Sequence, residues 1–93
     1  MGLSMKAIIT VLGSDKVGII AKVTTFLAEN NINIMDISQT TMQNIFTMIM
    51  LADISGSSLS FKDIVKRLDE IGKSMGVQIK TQHEEIFKSM HEI

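Results

Sequence analysis

Cysteine, tryptophan and tyrosine are absent from the 93 residues, arginine occurs once, as Arg67, and phenylalanine four times. Without cysteine there is neither a disulfide to staple the fold nor a thiolate for soft metal. A chain of this length buries only roughly 60–65% of the surface its unfolded form exposes, so extra burial by oligomerisation is expected. Nine basic against ten acidic residues leave a formal net charge of -1, which lacks the basic footprint of a nucleic-acid binder. No apolar stretch reaches the roughly 18 residues of a membrane span, and no charged start leads into an apolar export segment. A cytoplasmic protein with no membrane or nucleic-acid partner is therefore expected. The length allows one small domain and leaves no room for a catalytic domain beside a binding domain. Residues 1–4, MGLS, precede a second methionine, Met5, and are set aside as a leader.

What is present divides by hydrophobic period. Residues 5–12, MKAIITVL, alternate Ala7, Ile9 and Val11 with Ile8, Thr10 and Leu12, a strand apolar on both faces. From 17 to 30, Ile19, Ile20, Val23, Phe26 and Leu27 recur at helical spacing, and Asn30-Asn31 supplies the stop. Runs 32–42 and 45–54 flank Gln43-Asn44, a pair suited to a hairpin turn because Asn tolerates positive φ. Ser60, with Asp63 three residues on, makes a capping-box-like start to a helix carrying Phe61, Ile64, Val65, Leu68, Ile71 and Met75, which ends near Gly76. Residues 77–81 alternate as a fourth strand. Ile86, Phe87, Met90 and Ile93 form a helical stripe in a short C-terminal amphipathic tail, 85–93.

Two split βαβ units in 80 residues predict an α+β, ferredoxin-like βαββαβ sandwich: a four-stranded antiparallel sheet with two helices on one face, followed by the helical tail. One sheet face is then left uncovered. In the third strand Ile45, Thr47, Ile49 and Leu51 face one way and Phe46, Met48, Met50 and Ala52 the other, so both faces are largely apolar. The tail or another subunit should cover the second one. The methionines read as core filler rather than as a ligand pocket.

This architecture hosts many functions, so function has to come from sites. A metallochaperone needs a cysteine pair in the first loop. An RNA-binding module needs stacking aromatics on the central strands, where only Phe46 is found. An acylphosphatase-like enzyme needs an arginine in the first loop, where there is only Lys16. His83 and His91 fall short of a closed zinc site and read as surface histidines, and adjacent Glu84-Glu85 read as a solvated cluster rather than an acid/base pair. No nucleophile triad is visible. A non-enzyme with no catalytic residue, metal site or cofactor is expected.

The junction GSDKVGII, 13–20, carries the remaining signal. Gly13 permits a tight exit from the first strand, Asp15 can cap the coming helix, and Gly18 removes a side chain where something can approach the backbone. The first-turn amides from Val17 to Ile20, with the positive end of the helix dipole behind them, suit a small carboxylate or phosphate. Asp15 and Asn33 could add contacts for an ammonium group. The alternative is that Asp15 is only a cap and Gly18 only a close-packing residue.

The run ITVLGSDKVGIIAKVTTFLAENNINIMDIS resembles the ACT domain in its strand, D-x-x-G-I loop, amphipathic helix and N-I-x-D strand, and residues 5–84 follow the ACT element order as a single domain. DISQTTMQNIFTMIMLADI is similar to the small stand-alone ACT proteins of unassigned function, related to the ACT repeats of the glycine cleavage transcriptional repressor. The resemblance implies a homodimer that binds an amino acid or another small metabolite at a subunit interface. It places ligand binding on Asp15, Val17, Gly18, Ile19, Asn33 and Asp36. With nothing attached to the domain, regulation of a protein partner in trans is expected. Two rivals stand beside this reading. One is a ligand-free protein–protein interaction module using the open sheet face and the tail; the other is a small enzyme, tested by phosphatase or acylphosphatase activity that is lost on changing Lys16.

Overall fold

The hydrophobic periods resolve into β1 (Lys6–Gly13), α1 (Lys16–Glu29), β2 (Asn33–Met42), β3 (Ile45–Asp53), α2 (Phe61–Met75) and β4 (Gln78–His83). The computed structural model describes residues 5–14 and 16–85, with Lys16 described by its backbone alone. The 1–4 leader, the capping role of Asp15 and the apolar stripe of 86–93 lie outside the described residues.

The strands form one antiparallel sheet in the order β2-β3-β1-β4. Both helices pack on the same face, α2 touching β4 and α1 touching β2. This is the ferredoxin-like arrangement expected from the element order. Ala7, Ile9 and Val11 of β1 stand opposite Ala52, Met50 and Met48 of β3, and all six are buried beneath the helices. The helices contribute Ile19, Val23, Phe26 and Leu27 from α1, and Ile64 and Leu68 from α2. Burying one such side chain contributes roughly 1.5–3 kcal/mol, so these inward rows hold the layers together. The opposite face stays partly apolar: Leu12, Ile45 and Ile49 are exposed there, alongside Ser38 and Thr40 of β2 and Lys80 of β4.

The local signals act as read. Gln43 and Asn44 both take positive φ, 49° and 71°, and close the β2–β3 hairpin. Asn30 donates its side-chain amide to the Phe26 carbonyl at 2.8 Å, and Asn31 turns into the left-handed region at φ 59°. Together they end α1. At α2 the Ser60 hydroxyl accepts the Asp63 N–H at 3.1 Å, and Gly76, at φ 71°, ends the helix while its N–H reaches the Gly72 and Lys73 carbonyls. Ser60→Ala should cost about 1 kcal/mol of stability by urea unfolding; an unchanged midpoint would show that another group caps the helix.

Three details differ from the sequence expectation. Gly13 does not take positive φ; a side chain there would overlap Val77 Cγ1 and press on Ile19, so close packing rather than a special turn requires glycine. The fourth strand runs to His83, and Val77 belongs to the turn before it, its N–H donating to the Gly72 carbonyl at 2.9 Å. His83 is half-buried and stacks on Phe61, ring centroids 3.7 Å apart at 18°, because β4 runs back antiparallel to α2 and brings the strand end to the helix start. Glu84 is likewise half-buried, while Glu85 is exposed.

Candidate functional site

The β1–α1 junction lies at the end of the sheet where Gly13 stands opposite Phe46. The first helical amides belong to Lys16, Val17 and Gly18, and such amides have no carbonyl partner within their own helix. No acidic residue sits in that first turn to offset the dipole. Val17 is 77% exposed, Gly18 is half-buried and Ile19 belongs to the core. Ile19 therefore anchors the helix start in the core rather than presenting a side chain to a ligand. A Cβ on Gly18 would meet the flexible end of Met75 at 3.2 Å. Gly18 lines a shallow groove between the helices, about 440 Å³, with Ala21, Lys22, Thr25, Ser74 and Met75 as its other walls.

Asn33 and Asp36 sit elsewhere. Asn33 opposes Asp53, which in turn opposes Lys6 at the start of β1. Lys6 and Gly13 mark opposite ends of that strand, about 23 Å apart at the usual rise per residue. A single chain therefore does not bring Asn33 to the helix start. Asp36 is exposed and accepts the N–H of Ile37 at 2.9 Å. Near Asn33, the Asp53 carboxyl is held below its usual pKa by the Ser55 hydroxyl, which donates at 2.7 Å, and by the Ser55 N–H at 2.9 Å.

A β-bulge between Ile34 and Asp36 leaves Met35 as the extra residue. It sets Ile34 opposite Ala52 on the helix side and Asp36 opposite Leu51 on the open side. The alternation of the sequence carried the signal: Ile34 and Ile37 are three apart, out of step for a regular strand. Past the bulge, β2 is a long edge strand with no lysine, arginine or proline in its ten residues, and Met35, Ile37 and Met42 are exposed. Edge strands that stay single usually carry such guards.

Among the described residues, no group of three or more His, Asp or Glu side chains converges as for a metal ion. No described helix is long and apolar enough to cross a membrane.

A family model described as the ACT domain matches residues 6–82. A UPF0237 protein of Clostridium acetobutylicum is 62% identical over 89 residues, spanning 96% of this chain and 100% of that protein. An ACT domain protein from Streptococcus pneumoniae superposes with a TM-score of 0.79 at 40% identity, covering 92% of this chain and 97% of that one. A structure described as a glycine cleavage system transcriptional repressor superposes with a TM-score of 0.78 at 21% identity, over 89% of this chain and 48% of that one.

Proposed function

Since the chain belongs to the ACT domain family, whose members generally bind small molecules such as amino acids in regulatory roles, we propose that it is a non-catalytic amino-acid sensor. It acts as a homodimer and regulates another protein in trans. The observation that carries this reading is the long β2 edge, which has no lysine, arginine or proline and exposes Ile37 and Met42 past its bulge. Pairing that edge antiparallel with β2 of a second copy sets the strand start of one beside the strand end of the other. Met42 opposes Ile45, next to Phe46, which opposes Gly13. Asn33 of one copy is thereby carried to the end of the sheet where α1 of the other copy begins.

The two halves that one chain keeps apart then share one interface. The ligand carboxylate meets the amides of Val17 and Gly18 where Ile19 anchors the helix start, with Asp15 on the same loop, and Asn33 and Asp36 of the second copy supply polar contacts toward the ammonium group. Action in trans is supported by the Clostridium relative, which this chain spans over its whole length. The coupling between ligand and partner can be no larger than the ligand's differential affinity for the two states.

The test is a thermal-shift screen against the twenty amino acids, with solution mass recorded for each sample. At about 10 mM, a site with a dissociation constant near 1 mM stabilises by about 1.4 kcal/mol. For a domain of this size that is a rise of roughly 6–10 °C. One selective hit is expected, present in wild type and lost in Gly18→Val and in Asn33→Ala, both of which should retain the fold. No hit among the twenty would favour the interaction-module reading, which the exposed Leu12, Ile45 and Ile49 of the open sheet face support.

A further inference from the structure

The sheet's other edge is chemically unlike the first. Among the described residues β4 pairs only with β1, and between its outer side and α2 runs a groove of about 900 Å³. The floor is apolar: Phe61 and Val65, one turn apart on α2, and Ile79 of β4. Lys62 and Lys66, also one turn apart, and Lys80 of the edge strand stand around it, all three exposed. Among the described residues none of the three is ion-paired. Two carboxylates also line the groove. Asp69 is engaged by Lys73 at 3.2 Å, and Asp63 lies in the first turn of α2, against the positive end of that helix. At one end the stacked Phe61–His83 pair joins helix to strand.

We propose that this groove is a docking site for an extended peptide segment of a partner protein, in which acidic residues alternate with apolar ones. Such a segment adds as a fifth strand to β4, its backbone pairing with the free edge. One side-chain row then points into the floor of Phe61, Val65 and Ile79, on the α2 side where Lys62 and Lys66 stand at the rim, and the other lies on the open face of the sheet, where it meets Lys80. β4 has six residues, so a segment of six to eight covers it. The same charges turn away a second copy of this chain: antiparallel pairing of two β4 edges would bring two Lys80 side chains and their neighbouring lysines together, and like charges facing across a strand pair are unfavourable. The two edges therefore divide the work, β2 for its own kind and β4 for an acidic partner. The inference does not depend on the amino-acid site.

The probe is an eight-residue peptide alternating glutamate with valine, against a counterpart with lysine in place of glutamate. Titration of the ¹⁵N-labelled full chain is expected to shift the amides of 78–83 and 61–69, with hydrogen exchange slowed at outward-facing amides of β4. Affinity should weaken as salt is raised, fall at least tenfold in Lys62→Glu/Lys66→Glu/Lys80→Glu and at least threefold in Lys80→Glu alone. These are exposed positions, so the spectra should stay those of a folded chain. No shifts at peptide concentrations of about 1 mM, equal binding of the lysine peptide, or shifts centred on β2 would each overturn the proposal. So would octanoate reproducing the same shifts without protecting β4 amides, since that describes a pocket for a small apolar acid.

Discussion

Gly72→Ala should destabilise the protein by about 1–2 kcal/mol, although alanine in the middle of a helix ordinarily stabilises relative to glycine by roughly 0.5–1 kcal/mol. The reversal comes from what lies over that position. A Cβ on Gly72 would stand 2.8 Å from the Val77 carbonyl oxygen and 3.4 Å from the Ile79 nitrogen. These are backbone atoms, fixed by the Val77 N–H bond to the Gly72 carbonyl and by the β4–β1 ladder, so they cannot rotate aside. The helix has to lift, which loosens Ile64 and Leu68 on the same buried stripe, and overpacking of this kind costs about 1–3 kcal/mol. Gly13→Ala is the informative comparison, because its new methyl collides with the Val77 side chain. Val77→Ala should recover about 1 kcal/mol in the Gly13→Ala background and nothing in the Gly72→Ala background. Urea unfolding of the three single and two double variants measures this. A Gly72→Ala protein more stable than wild type would show that α2 does not press on the turn into β4.

Both glycines serve Val77, and neither role was legible in the sequence. Gly13 could be read only as permitting a tight exit from the first strand, because the pressure on it comes from a residue 64 positions away. The order of elements, by contrast, rests on short-range chemistry: Ser60 with Asp63, Gln43-Asn44 and Asn30-Asn31 act within a few residues of themselves, and each does so in the structure. The inward and outward rows of β3 were likewise readable, since a period of two needs no partner to be seen. His83 was not, because its burial depends on β4 returning to the start of α2.

The candidate site was legible by type but not by place. Glycine and aspartate before a helix, and asparagine at a strand start, mark polar contacts wherever they occur. Their spacing of fewer than twenty residues gave no hint that Gly18 and Asn33 end at opposite ends of one sheet. That separation follows from β2 running parallel to β1, both being antiparallel to β3, so that β2 starts at the end where β1 starts while α1 starts where β1 ends. Within one chain it speaks against a cleft; in a pair of chains related by a two-fold axis it becomes the condition for one. The ligand proposal therefore stands or falls with the β2 edge.

Changing Ile37 and Gln39 together to lysine tests that dependence, and the expected effect is large: a dimer dissociation constant weakened at least 100-fold, giving a monomer at about 10 μM with an unchanged circular dichroism spectrum. Ile37 and Gln39 oppose Met50 and Met48 on the helix side of the sheet, yet both are exposed, so within one chain neither substitution breaks packing. In a two-fold β2 pair they lie near the strand centre, where each copy's lysines meet the other's. Four ammonium groups then fall within about one Debye length, roughly 8 Å, on paired strands where like charges are already unfavourable. The amino-acid response should vanish with the dimer, although neither residue belongs to the helix start. A variant that stays dimeric would move the interface to the open face of Leu12, Ile45 and Ile49. A variant that is monomeric yet still stabilised by the same amino acid would place the whole site within one chain, leaving the α1 amides without Asn33. Mass and melting temperature, read on the same samples, separate the three results because assembly and ligand binding are coupled in only one of them.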